Sequence, residues 1–137
     1  MNGRRHAYIG IVAVIGVGLL TLGACGHKRR TGANGGPMTQ TELAAYGAEL
    51  YALRCQACHG PHGQGDGPAA PGLQPKPRNY ADKAWQDSVD DTRIVKAILE
   101  GGAAVGKSQA MPPQGDLRDD PEATAALVKT IRSFRPH

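Results

Sequence analysis

The sequence predicts an all-α domain in which three or more helices and long loops wrap around a bound group. Three observations lead to that expectation: three segments with helical apolar spacing, no alternating strand pattern, and too few large apolar side chains to fill an interior. Residues 40–137 hold only 15 Leu, Ile, Val and Phe among 98 residues. That fraction, about 15%, lies below the ~20% that in a highly charged chain marks disorder. Yet this stretch carries 11 basic and 12 acidic side chains and is close to neutral. Ordering a backbone costs ~1–2 kcal/mol per residue, so such a domain needs a metal, disulfides or a bulky cofactor to complete its core.

Residues 1–24 have the form of an export signal. Arg4 and Arg5 provide a positive start, and the apolar run from Tyr8 to Leu22 falls short of the ~20 residues that span a membrane. Leu22-Gly23-Ala24-Cys25 resembles a bacterial lipobox, in which cleavage precedes the cysteine and its sulfur is lipidated. The alternative is an ordinary cleavage site after Ala24. Lipidation at Cys25 would supply at least two acyl chains, enough for stable anchoring. Residues 25–39 are then the lipidated cysteine and a flexible, Gly-rich basic linker. Its Lys28-Arg29-Arg30 cluster suits anionic headgroups at ~1 kcal/mol per charge. The net charge of +4 for the whole chain therefore belongs to signal and linker. Nucleic-acid binding, which places Lys and Arg on a globular face among stacking aromatics, is not expected.

The folded part, residues 40–137, opens with a capping box, Thr39-Gln40-Thr41-Glu42. Leu43, Gly47, Leu50, Tyr51 and Arg54 follow on one face, predicting a helix over about 40–54 with a glycine notch. Asp90 or Asp91 can cap a second helix bearing Ile94, Val95, Ile98 and Leu99, which Gly101-Gly102 stops. A third starts at Asp120-Pro121, with Ala123, Leu127, Ile131 and Phe134 on its inner stripe. Residues 60–80 and 101–118 are Gly- and Pro-rich. Ordered loops of that length are uncommon unless they serve a function, so each is expected to wrap something.

Cys55-Gln56-Ala57-Cys58-His59 carries the chemistry. Two cysteines three apart at a helix end can add across the two vinyl groups of a haem, with the adjacent imidazole directed at the iron. A thioredoxin-like redox pair would need a βαβ setting, and a zinc site would need two further ligands at metal spacing. The sequence offers neither, and with Cys25 assigned to lipid no cysteine is left over. The expected cofactor is one haem c, bound through Cys55 and Cys58, with His59 as an iron ligand. Candidates for the opposite axial position are Met38, Met111, His27, His62 and His137. His62 is too close to His59 in sequence, and His27 and Met38 fall in the linker. Met111 follows the glycines of 101–106 and precedes Pro112-Pro113, which stiffen the loop presenting it. Met/His ligation raises the potential relative to bis-His.

With these residues in view, the stretch 40–135 resembles a class I c-type cytochrome domain of the bacterial single-haem group, in which the motif continues as Cys58-His59-Gly60-Pro61-His62-Gly63-Gln64-Gly65-Asp66-Gly67-Pro68. The resemblance implies a crossing of the first and last helices, with Gly47 and Tyr51 against Ile131 and Phe134. Thr130 departs from the family, which usually has an aromatic there. It also implies that a proline carbonyl, here in Pro71-Gly72-Leu73, accepts the proximal imidazole proton. Arg78 falls where the family places a partner for a haem propionate, and Tyr80 or Trp85 where it places a hydrogen-bond donor to one.

A haem with both axial positions filled leaves no room for a substrate at the iron, so outer-sphere electron transfer between redox proteins is expected rather than catalysis. Two settings suit it: a lipid-tethered shuttle with its haem domain in the periplasm, or a haem subunit docked in a larger membrane oxidoreductase such as a quinol-oxidising complex or terminal oxidase. A haem sensor or peroxidase in which Met111 dissociates is the third possibility. Because the cofactor replaces missing core, a haem-free chain from residue 40 onward is expected to stay largely unfolded. A cooperative thermal transition in the apo form would contradict this.

Overall fold

The computed structural model describes residues 30–137. The expected signal segment, Cys25, His27 and the Lys28-Arg29 pair lie outside the described residues. The capping box forms as the sequence predicts: Glu42 N–H donates to Thr39 Oγ1 at 3.2 Å, and Thr39 N–H to Glu42 Oε2 at 2.7 Å. Helix α1 (Gln40–Arg54) runs on from it and ends at Cys55, where a separate turn, α2 (Gln56–His59), begins.

Among the described residues every regular element is helical. Asp90, rather than Asp91, caps α4 (Asp91–Glu100) by accepting from Arg93 N–H at 2.7 Å. Asp120 caps α5 (Pro121–Ser133) through Ala123 N–H at 2.9 Å. Between α2 and α4 the sequence pattern does not mark a six-residue helix, α3 (Lys83–Ser88). Six residues are too few for a helical repeat to register. Its local signals are the Asp82 cap on Trp85 N–H and the Lys83–Asp87 pair at 2.7 Å. The stretch expected as a loop over 101–118 contains two 3₁₀ turns, Gly102–Val105 and Gly115–Leu117.

The linker expectation needs correction for residues 30–38. Gly32 and Gly36 bridge a tight turn through Gly32 N–H to Gly36 O at 2.8 Å, and Ala33 N–H donates to Glu42 Oε1. Arg30 does not stand free for headgroups: its Nε lies 2.9 Å from Asp120 Oδ2, and its guanidinium sits over the Tyr46 ring at 4.6 Å. The Tyr46 hydroxyl donates to the same carboxylate at 3.0 Å. Burial pushes the Asp120 carboxyl up, but the Ala123 N–H, together with Arg30 and Tyr46, outweighs it and holds the group below its ordinary range. The reason is tertiary, since the partner of Arg30 lies 90 residues away.

The frame is the pairing of α1 with α5, the most extensive between helices. Gly47 permits it: a Cβ there would overlap the Ala126 carbonyl and the Thr130 hydroxyl. Gly47 thus meets α5 earlier in the helix than the expected Ile131, while Tyr51 does reach Phe134, with centroids 5.0 Å apart. Thr130 is small enough for this approach and turns its hydroxyl back to the Ala126 carbonyl at 3.1 Å. Leu50, Tyr51, Ile94, Ile98, Leu127 and Ile131 form the centre of the core. Buried Gln86 ties α3 to α5, donating to both the Tyr80 and Ile131 carbonyls at 2.8 Å and accepting from Arg132.

Replacing Gly47 with Ala gains ~1 kcal/mol of helix propensity but forces a methyl into backbone. A net loss on the order of 1–3 kcal/mol is expected from overpacking. Thermal melting of the haem-loaded protein checks it, and an undiminished melting temperature would mean that the two helices separate without cost.

Candidate functional site

The site grows from α2. Cys58 N–H and His59 N–H both donate to the Cys55 carbonyl, at 3.1 and 2.9 Å. One helical turn therefore brings residues three and four apart, Cys55, Cys58 and His59, to one side. A turn this short leaves its last carbonyls without helical partners. The chain that follows supplies them: Gly65 N–H donates to His59 O at 2.8 Å, Gly67 N–H to Cys58 O at 3.2 Å and Ala69 N–H to Ala57 O at 2.8 Å. Gly65 sits at φ +76°, and any Cβ on it would run into the Pro77 carbonyl. The glycines after the motif thus let the loop fold back over its end, and Tyr51 adds a hydrogen bond from its hydroxyl to Gly60 O at 2.8 Å.

Cys55, Cys58 and His59 open onto a cavity of about 320 Å³, within the ~300–1,000 Å³ of ligand sites. Ile94, Ala97 and Ile98 of α4 and Leu127 and Ile131 of α5 wall it, together with Tyr80 and Trp85. Met111 lines it as well. The Met111 backbone is held by Gly102 N–H on its carbonyl at 3.0 Å and by its own N–H on Ser108 O at 3.3 Å. Gln114 N–H donates to Ile98 O at 2.9 Å and pins the same segment to α4. Met38, His62 and His137, the other ligand candidates among the described residues, lie outside this lining.

Burial pushes the His59 imidazole below its ordinary pKa, against the opposing effect of its bond to Arg78. Its Nδ1 lies 3.0 Å from the Arg78 carbonyl. A neutral ring donating from Nδ1 carries its lone pair on Nε2, the tautomer that a metal ligand needs. The acceptor corrects the expectation for Pro71, which is exposed and away from the cavity lining. Hydrogen bonding explains the difference: Tyr80 N–H donates to Gly63 O at 2.6 Å, drawing residues 77–80 rather than 71–73 against the end of α2. Arg78 thus contributes its main chain. Its guanidinium stays at the cavity rim, 3.7 Å from Asp82 and 5.8 Å from the Trp85 ring centre.

Tyr80 is closer to the chemistry than its expected place near a propionate. It is buried, its ring stacks on His59 with centroids 4.5 Å apart, and its hydroxyl lies 3.2 Å from Nε2. Gln86, which secures the Tyr80 carbonyl, had no sequence signal beyond being a polar residue between Trp85 and Asp87.

The alternatives for the cysteine pair fare poorly. Burial pushes the Cys55 thiol up to about 11, whereas redox-active cysteines have depressed values. Among the described residues no group of three His, Cys, Asp or Glu side chains is arranged to hold a metal ion, which leaves a zinc site without its ligands. Two thiols, an imidazole and a thioether around one largely apolar cavity fit a haem held by two thioethers.

Comparison with known proteins agrees with that chemistry. The family model for cytochrome c matches residues 44–134. The Cbb3-type cytochrome c oxidase subunit FixP of Bradyrhizobium sp. (strain ORS 278) is 31% identical over 102 residues, which are 74% of this chain and 31% of that protein. The chain therefore spans about a third of the length of this relative. The solved structure of the KustC0563 c-type cytochrome is 32% identical with a TM-score of 0.50, covering 66% of this chain and 98% of its own. A family match across most of the described residues, the Cys55–His59 motif included, means that the chain belongs to the cytochrome c family and that its cofactor is covalently bound haem c.

Proposed function

We propose that the protein is a single-haem, one-electron carrier of the cell envelope, anchored through lipidated Cys25 with its haem domain in the periplasm. The observation that carries the electron-transfer role is the convergence of Cys55, Cys58, His59 and Met111 on one cavity. Bound there, haem supplies an iron couple that gains and loses one electron. The chain's own residues then have defined tasks. Cys55 and Cys58 hold the porphyrin by thioethers, and the Arg78 carbonyl keeps His59 in the tautomer that leaves Nε2 for the iron. Met111, its backbone held by Gly102 and Ser108, would be the second protein ligand to the iron. With both positions filled no substrate reaches the metal, so the protein passes electrons between redox partners and is not itself an enzyme. The Arg78 guanidinium at the rim would pair with a propionate.

The partners should present acidic faces. Arg54, Lys76, Arg78, Arg93 and Lys107 are the charged residues lining the cavity; Asp116 pairs with Arg54 and Asp82 with Arg78, but neither acid lines the cavity. In a domain that is nearly neutral overall, this concentrates positive potential where electrons leave and enter, favouring encounter with acidic surfaces.

A second setting, a haem subunit held in a terminal oxidase, draws support from the similarity to FixP. The docked segment 30–38 also supports it. Only residues 26–29 then lie between Cys25 and the docked segment. Among the described residues no helix is long and apolar enough to cross a membrane.

Met111→Ala tests the ligand assignment on which this function rests. The variant should retain covalent haem, lose the weak far-red ferric band of a thioether ligand and show a lower reduction potential. An unchanged spectrum would remove Met111 from the iron. The anchor has its own test: Cys25→Ser should move a still red protein from the membrane fraction to the soluble fraction, and retention in membranes would argue against lipidation.

A further inference from the structure

The bond between an axial imidazole and iron is a single bond, so the plane of the ring is set by what touches its edges and faces. The Arg78 carbonyl holds one edge of His59, at Nδ1. The face is held by Tyr80, whose ring lies 12° from parallel at a centroid separation of 4.5 Å. Such a stack resists rotation of the imidazole, because turning either ring drives it into the other.

Tyr80 is itself braced on several sides. Its N–H donates to Gly63 O at 2.6 Å, and its carbonyl accepts from Gln86 Nε2, whose amide also reaches Ile131 O in α5. Trp85 tilts against the Tyr80 ring at 5.4 Å, and Phe134 stacks beyond it at 6.3 Å. The connection from the C-terminal helix to the proximal imidazole is continuous and runs through side chains that are buried or half-buried.

We propose that Tyr80 is a positioning residue that fixes the plane of the His59 imidazole, and that its ring face, more than its hydroxyl, does this. Ring plane governs how the imidazole orbitals overlap the iron, so the residue acts on the electronic structure of the haem through its ligand. The inference rests on His59 being an iron ligand, and the experiment separates the two.

Proton NMR of the ferrous haem-loaded protein comes first. The His59 ring protons should be shifted far upfield by the porphyrin ring current and should show cross-relaxation to the Tyr80 ring protons. Absence of the upfield shift would overturn the His59 assignment. Shifted His59 protons without cross-relaxation to Tyr80 would overturn the positioning role alone. The ferric cyanide adduct then isolates the imidazole, because cyanide displaces the thioether. Its four haem methyl resonances should keep their order and spread in Tyr80→Phe, which retains the ring, and be redistributed in Tyr80→Leu, which does not. An unchanged pattern in Tyr80→Leu would refute the proposal, as would a redistribution in Tyr80→Phe equal to that in Tyr80→Leu. Should the leucine variant fail to fold, the cross-relaxation measurement on the parent protein decides.

Discussion

The return of the chain over the end of α2 governs the rest of the molecule. A four-residue helix has almost no stability of its own, and each buried carbonyl left without a donor costs ~1–3 kcal/mol. Gly65, Gly67 and Ala69 supply donors to His59, Cys58 and Ala57 in turn, so the motif keeps the shape that directs both thiols and the imidazole to one cavity. The same return seats Tyr80 against Gly63 and brings the Arg78 carbonyl to His59. One set of backbone hydrogen bonds thus orders both the thioether-forming turn and the imidazole's surroundings.

The opposite wall uses comparable means with different residues. Gly101 and Gly102 let the chain double back beside Met111, whose carbonyl and Cβ would meet any side chain at those positions. Gln114 fastens the far end to α4. The two long segments, 60–80 and 101–118, both contribute to the cavity lining and are ordered by bonds to the helices they leave. Few large apolar residues are needed, because α4 and α5 spend Ile94, Ile98, Leu127 and Ile131 partly on the cavity wall. The porphyrin completes that core, and the α1–α5 crossing at Gly47 closes it from behind.

At the N-terminal edge, composition and structure part company. Gly-rich, basic residues before α1 have the character of a linker, yet Arg30 engages Asp120 and Tyr46 while Ala33 binds Glu42. Glu42 therefore serves both the capping box and the incoming chain, and Asp120 caps α5 while receiving Arg30. These shared carboxylates join the two helices that form the frame.

What the sequence by itself determined is what depends on residues within one helical turn of each other. The capping box at Thr39, the Asp90 and Asp120 caps, and the spacing of Cys55, Cys58 and His59 are local, and all form as their patterns dictate. Met111 stood out as a candidate because prolines and glycines around it restrict the chain locally too, and it lines the cavity. Tertiary structure alone decided the proximal carbonyl, which belongs to Arg78 and not to the Pro71 segment. Main-chain carbonyls are chemically alike at every residue, so no side chain marks the one that will bind, and loop closure makes the choice. The same holds for Tyr80 on His59, Gln86 between Tyr80 and Ile131, and Arg30 on Asp120: each joins positions whose proximity follows only from the path of the chain between them.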